Sequence, residues 1–353
     1  MAEFDLFVPG RVCLFGEHSD WAGGYRRIDS NISMGYCLIV GTNQGIYAKV
    51  KSDSDKLMMI STLPDGHRIP MRIEMEEKLL LETAKQGGFF SYCAGVAYYV
   101  LRNHHVKGLV IESYKMDLPI RKGLSSSAAV NVLTARAFNY VYDLKLTKRG
   151  EMELAYLGEI LTPSRCGRMD QACAFGRVPV FLTFDGDNME VEELHPQKPM
   201  YMVVVDLKKG KDTQKILADL NACYPHTKGK VSEDVRYYLG RVNQEILVQA
   251  KLALNNGDAE AVGRLMTEAQ RLFDEFMMPA CPEELVAPKL HQVLSYPPLQ
   301  ELIWGGKGVG SQGDGCAQFV VRGSEEQKEL MHRLPPALDV ECFELTIEPY
   351  ISK

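Results

Sequence analysis

Gly123-Leu124-Ser125-Ser126-Ser127-Ala128-Ala129 is the stretch on which the reading of the fold turns. Upstream, Leu109 to Ser113 is rich in strand formers, and Leu118 to Lys122 leads directly into the glycine. Downstream, Val130, Leu133, Ala137, Phe138 and Val141 recur at helical spacing. The serine run therefore falls where a strand hands over to a helix. Glycine lets a backbone approach a ligand closely, and a helix start offers unpaired N–H groups to an anion. The serine hydroxyls add donors and one candidate magnesium ligand. The same residues also suit a plain capped helix with small side chains for tight packing. Taken alone, the segment does not choose between the two.

The flanking sequence alternates strands and helices. Phe4 to Val8, Tyr36 to Val40, Gly45 to Val50, Val178 to Phe184 and Tyr201 to Asp206 read as strands, and Gly16 to Tyr25 as a polar turn. Leu154 to Leu161 reads as a helix, and so does Ser232 to Phe276, with a break at Asn255-Asn256-Gly257-Asp258. A glycine cluster, Gly305 to Gly315, runs into the strand Ala317 to Val321. The length, 353 residues, predicts two domains. The pattern breaks near Leu194 to Lys198, which divides the chain into 1–195 and 196–353.

Hydrophobic residues make up 46% and charged residues 24%, the balance of an ordinary globular chain rather than a disordered one. The formal charge of −6 gives no general attraction to a polyanion, so no nucleic-acid partner is expected. Met1 to Leu6 lacks the basic and apolar regions of a secretory signal. No apolar run approaches the roughly 18–20 residues that span a bilayer. The nine cysteines are scattered and form no CxxC pair, which predicts reduced, mostly buried thiols. Together these features predict a cytoplasmic protein with no membrane partner.

Two further segments carry chemistry. Arg11, Glu17, His18 and Asp20 lie in Pro9-Gly10-Arg11-Val12-Cys13-Leu14-Phe15-Gly16-Glu17-His18-Ser19-Asp20, read as a loop directly after a strand. Carboxylates accept hydrogen bonds from neutral hydroxyls, so such a cluster can read a sugar; it can equally be a solvated acidic turn. Asp170 lies in Ser164-Arg165-Cys166-Gly167-Arg168-Met169-Asp170-Gln171, as a candidate catalytic base or a turn residue. Gly308-Val309-Gly310-Ser311-Gln312-Gly313 spells GxGxxG but feeds a strand, which argues against a dinucleotide site. Lys307 is followed by Gly308 rather than Ser or Thr, so there is no Walker A motif.

Read together, the segments resemble the GHMP kinase superfamily, and galactokinases within it. Pro9 to Trp21, with Gly23-Gly24, resembles the signature PGRVNLIGEHTDYNGG. Gly123 to Ala129 resembles the GLSSSAA phosphate loop, and Cys166 to Gln171 the galactokinase CGxMDQ. Gly308 to Ala317 stands where the family has its third, glycine-rich motif. The motifs cover about a tenth of the residues but span the chain from near its start to near its end.

The resemblance implies an α+β, two-domain GHMP kinase fold. Its N-terminal α/β domain would be ribosomal-protein-S5-like and its C-terminal domain ferredoxin-like, with the active site in the cleft between. It implies ATP-dependent phosphorylation of a monosaccharide hydroxyl, the anomeric one, with Mg2+ as cofactor. Carried over residue by residue, Asp170 resembles the catalytic aspartate and Arg11 its positively charged neighbour, which would offset charge on the γ-phosphoryl group. Glu17, His18, Asp20 and Gly167 resemble the substrate-binding residues. Gly123, Leu124, Ser125, Ser126, Ser127 and Ala128 would wrap the ATP phosphates. Ser127 and Glu159 resemble the magnesium ligands, Glu159 on its spacing from Asp170 and its helical context.

The chain also departs from the pattern. Cys13 and Phe15 replace Asn and Ile, and Trp21 replaces Tyr. Arg26, Arg27 and Asp29 occupy an ordinarily apolar stretch, and Ser311 to Asp314 interrupts the third motif with a carboxylate. Arg26, Arg27 and Arg168 would suit an acidic sugar; the plainer reading pairs them with local carboxylates. The other functions weighed are a GHMP kinase for a non-sugar alcohol and a catalytically silent sugar- and ATP-binding sensor.

Overall fold

The computed structural model describes residues 3–62, 68–118, 124–164 and 166–351. Its strands are β1 (Phe4–Phe15), β2 (Gly35–Asp53), β3 (Lys56–Thr62), β4 (Arg68–Glu74), β5 (Gly108–Met116) and β6 (Val180–Asp185). The remainder are β7 (Asn188–Glu193), β8 (Met200–Asp206), β9 (Ile303–Gly308), β10 (Cys316–Val321) and β11 (Glu341–Ile347). The helices begin with α1 (Ser19–Gly24), α2 (Glu77–Gln86), α3 (Ser91–Asn103), α4 (Ser126–Tyr142), α5 (Lys148–Glu159) and α6 (Thr213–Ala222). They continue with α7 (Lys230–Tyr237), α8 (Asn243–Asn256), α9 (Ala259–Phe276), α10 (Pro282–Leu285), α11 (Pro288–Leu294) and α12 (Ser324–Leu338).

Two compact units emerge, and neither is continuous in sequence. The first comprises 1–11 and 41–177, the second 12–40 and 178–353. The linear boundary expected near Leu194 to Lys198 falls inside the second unit. Strands β1 and β2, which pair with each other, pass from one unit to the other within their own lengths.

In the first unit β4, β3, β5 and β2 are successive neighbours. β5 runs parallel to β3 (Ile111 opposite Met59) and antiparallel to β2 (Ile111 opposite Val50). These β-branched and aliphatic residues are almost fully buried, as a strand covered on that face requires. Helices α3 and α5 approach through glycine: a Cβ on Gly95 would meet the Gly158 carbonyl at 2.2 Å. Only hydrogen fits there, and the contact fixes the end of α5, where Glu159 lies.

In the second unit the first residues of β2 pair with β6, and β6 with β7. A separate antiparallel sheet has the order β11-β8-β10-β9. Numbered along the chain, that order is 4-1-3-2, with helices between its first and second strands and between its third and fourth. This is the ferredoxin-like βαββαβ arrangement expected from the resemblance. Its core joins Val203, Val205, Leu290, Val293, Phe319, Val321, Leu330 and Leu334. The helical stretch through 276 also forms as read. Asp258 caps α9 by accepting from the Ala261 N–H, and Gly257 ends α8 with φ of 67°.

Two local expectations change. β1 continues to Phe15, so Arg11 lies on a strand rather than a loop. Pro9-Gly10 does not turn the chain; Gly10 is needed for a close approach described below. The polar segment read as a turn contains the short helix α1. Among the described residues, no helix is long and apolar enough to cross a membrane.

Candidate functional site

Within the first unit, β1 delivers Arg11 to Asp170. The Arg11 Nε donates to Asp170 Oδ1 at 3.2 Å, and Nη2 donates to the same oxygen. The guanidinium is buried, with 6% of its side chain exposed, whereas Asp170 retains 19%. Asp170 opens the short 3-10 helix Asp170–Phe175, which holds it at the edge of the core.

The serine run is tied to the same strand. The Arg11 N–H donates to the Leu124 carbonyl at 3.1 Å. A Cβ on Gly10 would lie 2.7 Å from that oxygen and 2.4 Å from Leu118 Cδ1, so a side chain at position 10 would push the turn away. Helix α4 starts at Ser126, as its sequence predicted, but the serines do not cap it. Ser125 has φ 53° and ψ 51°, and no side chain caps the helix. An N-cap hydroxyl needs an extended backbone to reach the first-turn N–H groups, and a left-handed residue does not provide it. Ser125 to Ser127 are half-buried and Ala128 is buried. Of the two readings of this run, the uncapped helix start suits an anion; Gly123 lies outside the described residues.

Glu159, the last residue of α5, is fully buried. Gln171 Nε2 donates to its Oε2 at 2.8 Å and to Cys166 Sγ at 3.2 Å. Burial raises the Glu159 pKa, and the charge of Asp170 raises it further. Hydrogen bonds from Ser127, Gln171 and Cys166 act in the opposite direction. Ser127, Glu159 and Asp170 thus come together. A buried carboxylate strained by a second one, with a hydroxyl on it, is an oxygen donor set that fits a divalent cation such as Mg2+. Gly167 is half-buried beside this cluster in sequence. Arg168 does not project a spare charge: Nη2 bonds Glu153 Oε1 at 2.7 Å, and the guanidinium lies over Tyr156, 5.1 Å from the ring centre.

Glu17, His18 and Asp20 belong to the second unit and are all buried there. They are not solvated, which removes the acidic-turn reading. Glu17 pairs with Lys307 of β9, and the two side chains are 3% and 1% exposed. The Lys307 Nζ also donates to the Gly308 carbonyl at 2.9 Å. His18 has φ 69°, a left-handed conformation that a residue with a side chain adopts at a cost. Trp21 Nε1 donates to His18 Nδ1 at 3.2 Å. Asp20 lies in the first turn of α1, and the neighbouring Ser19 hydroxyl accepts from Asn243 Nδ2 at 2.9 Å.

Three of the departures from the motif, Arg26, Arg27 and Asp314, have local partners in this unit. Arg26 bonds Asp185 and the Ser30 carbonyl, and Arg27 lies 3.6 Å from Asp187. All three arginines considered for an acidic substrate therefore have carboxylate partners nearby. Gly308 to Ala317 forms a hairpin, with Gly308 opposite Ala317. Asp314 Oδ1 accepts from the N–H groups of Lys289 and Leu290 at 3.1 and 3.0 Å, so this carboxylate caps α11.

Sequence reasoning gave no role to Lys307 or to Gln171. For the first no local signal was available, because the carboxylate that pairs with Lys307 lies 290 positions away. For the second, the position one residue after the candidate catalytic aspartate was the available clue.

Comparison with known proteins gives a consistent result. A family model described as GHMP kinases N terminal domain matches residues 91–177. The galactokinase of Thermococcus kodakarensis is 26% identical over 302 residues, 79% of this chain and 80% of that protein. Among solved structures, the Lactococcus lactis galactokinase complexed with galactose aligns with a TM-score of 0.71 at 16% identity, covering 99% and 95% of the two chains. The Methanococcus jannaschii mevalonate kinase gives the same TM-score at 18% identity, covering 99% of each.

Proposed function

We propose, from the premise that this chain is a galactokinase-like small-molecule kinase of the GHMP superfamily, that it transfers the γ-phosphoryl group of ATP to a monosaccharide hydroxyl, the anomeric one. The observation that carries this reading is the linkage of three elements within one unit. Arg11 holds Asp170 by its side chain and Leu124 by its backbone, while Ser127 reaches Glu159. A carboxylate and an uncapped helix start are thereby tied to one strand, which supports a catalytic role for the first.

Phosphoryl transfer requires alignment and charge stabilisation more than covalent work by the protein. Asp170 accepts the hydrogen bond of the attacking hydroxyl and takes its proton as the bond to phosphorus forms. Arg11 balances the negative charge gathered around that oxygen. Leu124 to Ala128 and the first-turn N–H groups of α4 bind the ATP phosphates, together with Gly123. Ser127 and Glu159 would hold Mg2+, which would neutralise phosphate charge. The resemblance assigns Glu17, His18, Asp20 and Gly167 to the sugar; the galactose complexed with the Lactococcus lactis galactokinase supports an acceptor of that class.

A coupled ADP-release assay with magnesium-ATP tests the reading across galactose, its epimers, pentoses, deoxysugars, amino sugars and uronic acids. Sugar-dependent ADP release that disappears in Asp170→Asn is the expected result. The equal TM-score of a mevalonate kinase favours a second reading, a kinase for a non-sugar alcohol. Release with mevalonate or homoserine and with no sugar would replace the first reading by that one. ATP and sugar binding without any release would identify a silent sensor.

A further inference from the structure

Arg136 lies in the middle of α4, away from the cluster of Arg11, Ser127, Glu159 and Asp170, yet its guanidinium touches the elements that carry all four. Nε donates to Glu151 Oε2 of α5 at 2.8 Å, Nη2 to the Ala174 carbonyl at 2.6 Å and Nη1 to the Phe7 carbonyl at 3.3 Å. Phe7 is on β1, which carries Arg11, and Ala174 is in the 3-10 helix that Asp170 opens. Helices α4 and α5 carry Ser127 and Glu159. By the rise per residue of each element, the four site residues lie about 8–14 Å along the chain from this common anchor. We propose that Arg136 is a positioning residue, which sets the Arg11–Asp170 pair against the Ser127–Glu159 pair by holding the remote parts of their elements on one guanidinium.

The arrangement suits arginine. A guanidinium donates from three nitrogens in fixed directions, which a point-like ammonium does not. Glu151 balances the charge, and its Oε1 accepts from Asn139 Nδ2 at 2.9 Å. Asn139 also donates to the Leu146 carbonyl and accepts from the Leu146 N–H, each at 3.0 Å, so the connection from α4 to α5 is fixed independently of Arg136. What the guanidinium adds is its two carbonyl contacts, and these reach the elements of Arg11 and Asp170. Ala174 is a suitable acceptor, because carbonyls in the last turn of a helix lack a following N–H and attract a cation. At the site itself the Arg11 N–H meets the Leu124 carbonyl, and Gln171 meets Glu159. Each element is thus attached twice, near the site and at Arg136, and two attachments fix an angle that one would leave free.

The consequence concerns turnover more than affinity. Group transfer needs the base aligned with the phosphate-holding residues, whereas binding either reactant alone does not. Misplacement on the ångström scale therefore lowers kcat while leaving KM nearly unchanged. This part rests on the kinase reading above; the anchoring itself does not.

The test is Arg136→Lys in the full chain, which keeps a cation beside Glu151 and gives up the carbonyl contacts. Hydrogen–deuterium exchange should accelerate in Asp170–Phe175 and in 124–128, with α2 and α3 unchanged. Turnover should fall about tenfold, with KM for ATP and for the acceptor within about threefold of the wild type. In an Asp170→Asn background the same substitution should lower turnover no further, because alignment with a missing base has nothing left to lose. A fall that multiplies in both backgrounds, or exchange that rises evenly across the unit, marks a general structural role and overturns the proposal. So does a folded Arg136→Lys with unchanged exchange in those segments or unchanged turnover. If Arg136→Lys does not fold, Arg136→Gln/Glu151→Gln, which leaves no unpaired charge, is judged by the same criteria, and failure of both to fold also overturns it. Absence of turnover in the wild type with every acceptor would refute the kinase reading separately, and the exchange pattern would then decide the role of Arg136.

Discussion

Asp170 and Glu17 are both carboxylates held by a single long cationic side chain, and their surroundings divide them. Asp170 keeps 19% of its side chain exposed, while Arg11 is buried behind it. Glu17 and Lys307 are both sealed, at 3% and 1%. In the first pair the cation is fixed and the acid stays accessible. In the second both charges are out of water and paired with each other. The same chemical pairing thus leaves a carboxylate reachable in one unit and closes both charges away in the other.

The comparison breaks most sharply at Asp170. Asp170→Asn keeps the shape and removes the base, and turnover should fall by on the order of 10²–10⁴-fold with ATP affinity unchanged. Loss of ATP binding in the folded variant would refute its catalytic role. Lys307→Met should act on stability instead. It removes the paired cation from a buried carboxylate, at a cost of about 3–5 kcal/mol in urea denaturation. The double variant Glu17→Gln/Lys307→Met should recover most of that loss; if it does not, the pair is not the source of the effect.

A smaller change should follow from Gly10→Ala. The added methyl group would overlap the Leu124 carbonyl and Leu118, destabilising the chain by about 1–3 kcal/mol and raising the ATP KM more than the acceptor KM. Equal effects on both constants would detach the serine turn from nucleotide binding.

The weakest pair sharpens the series. His291 Nε2 lies 2.9 Å from Asp274 Oδ2 at a half-buried position, and that hydrogen bond raises the histidine pKa to about 9. Its ordinary value is 6.5, so the folded state holds the proton more tightly than the unfolded chain. The contribution to stability is complete below about 6.5 and disappears as pH rises through about 9. Thermal unfolding across that window should show a decline that His291→Gln abolishes.

Legibility from sequence followed the range of the interactions. The strand before the serine run and the helix after it were readable, because apolar spacing over a few residues is a local signal. The left-handed Ser125 was not, since serine ordinarily caps with an extended backbone. Pro9-Gly10 looked like the end of a strand. Its glycine instead answers to Leu124 and Leu118, more than a hundred residues further along the chain. Arg11 and Asp170 stood out singly, but their pairing came only through the family motif, since no local pattern joins residues 159 positions apart. Lys307 was missed because its partner lies 290 positions away, and a lone lysine among glycines otherwise suggests solvent.

The three crossings of the chain between its units, after Arg11, Val40 and Arg177, bear on inheritance. A gene cut once and rejoined to a relative's other half would not exchange whole units. A break near residue 195 would carry Glu17, His18 and Asp20 away from the sheet that contains Lys307. The segments of the two units are thus interleaved in the gene itself. Recombination cannot readily swap one for the other, and change has to be acquired by substitutions in place.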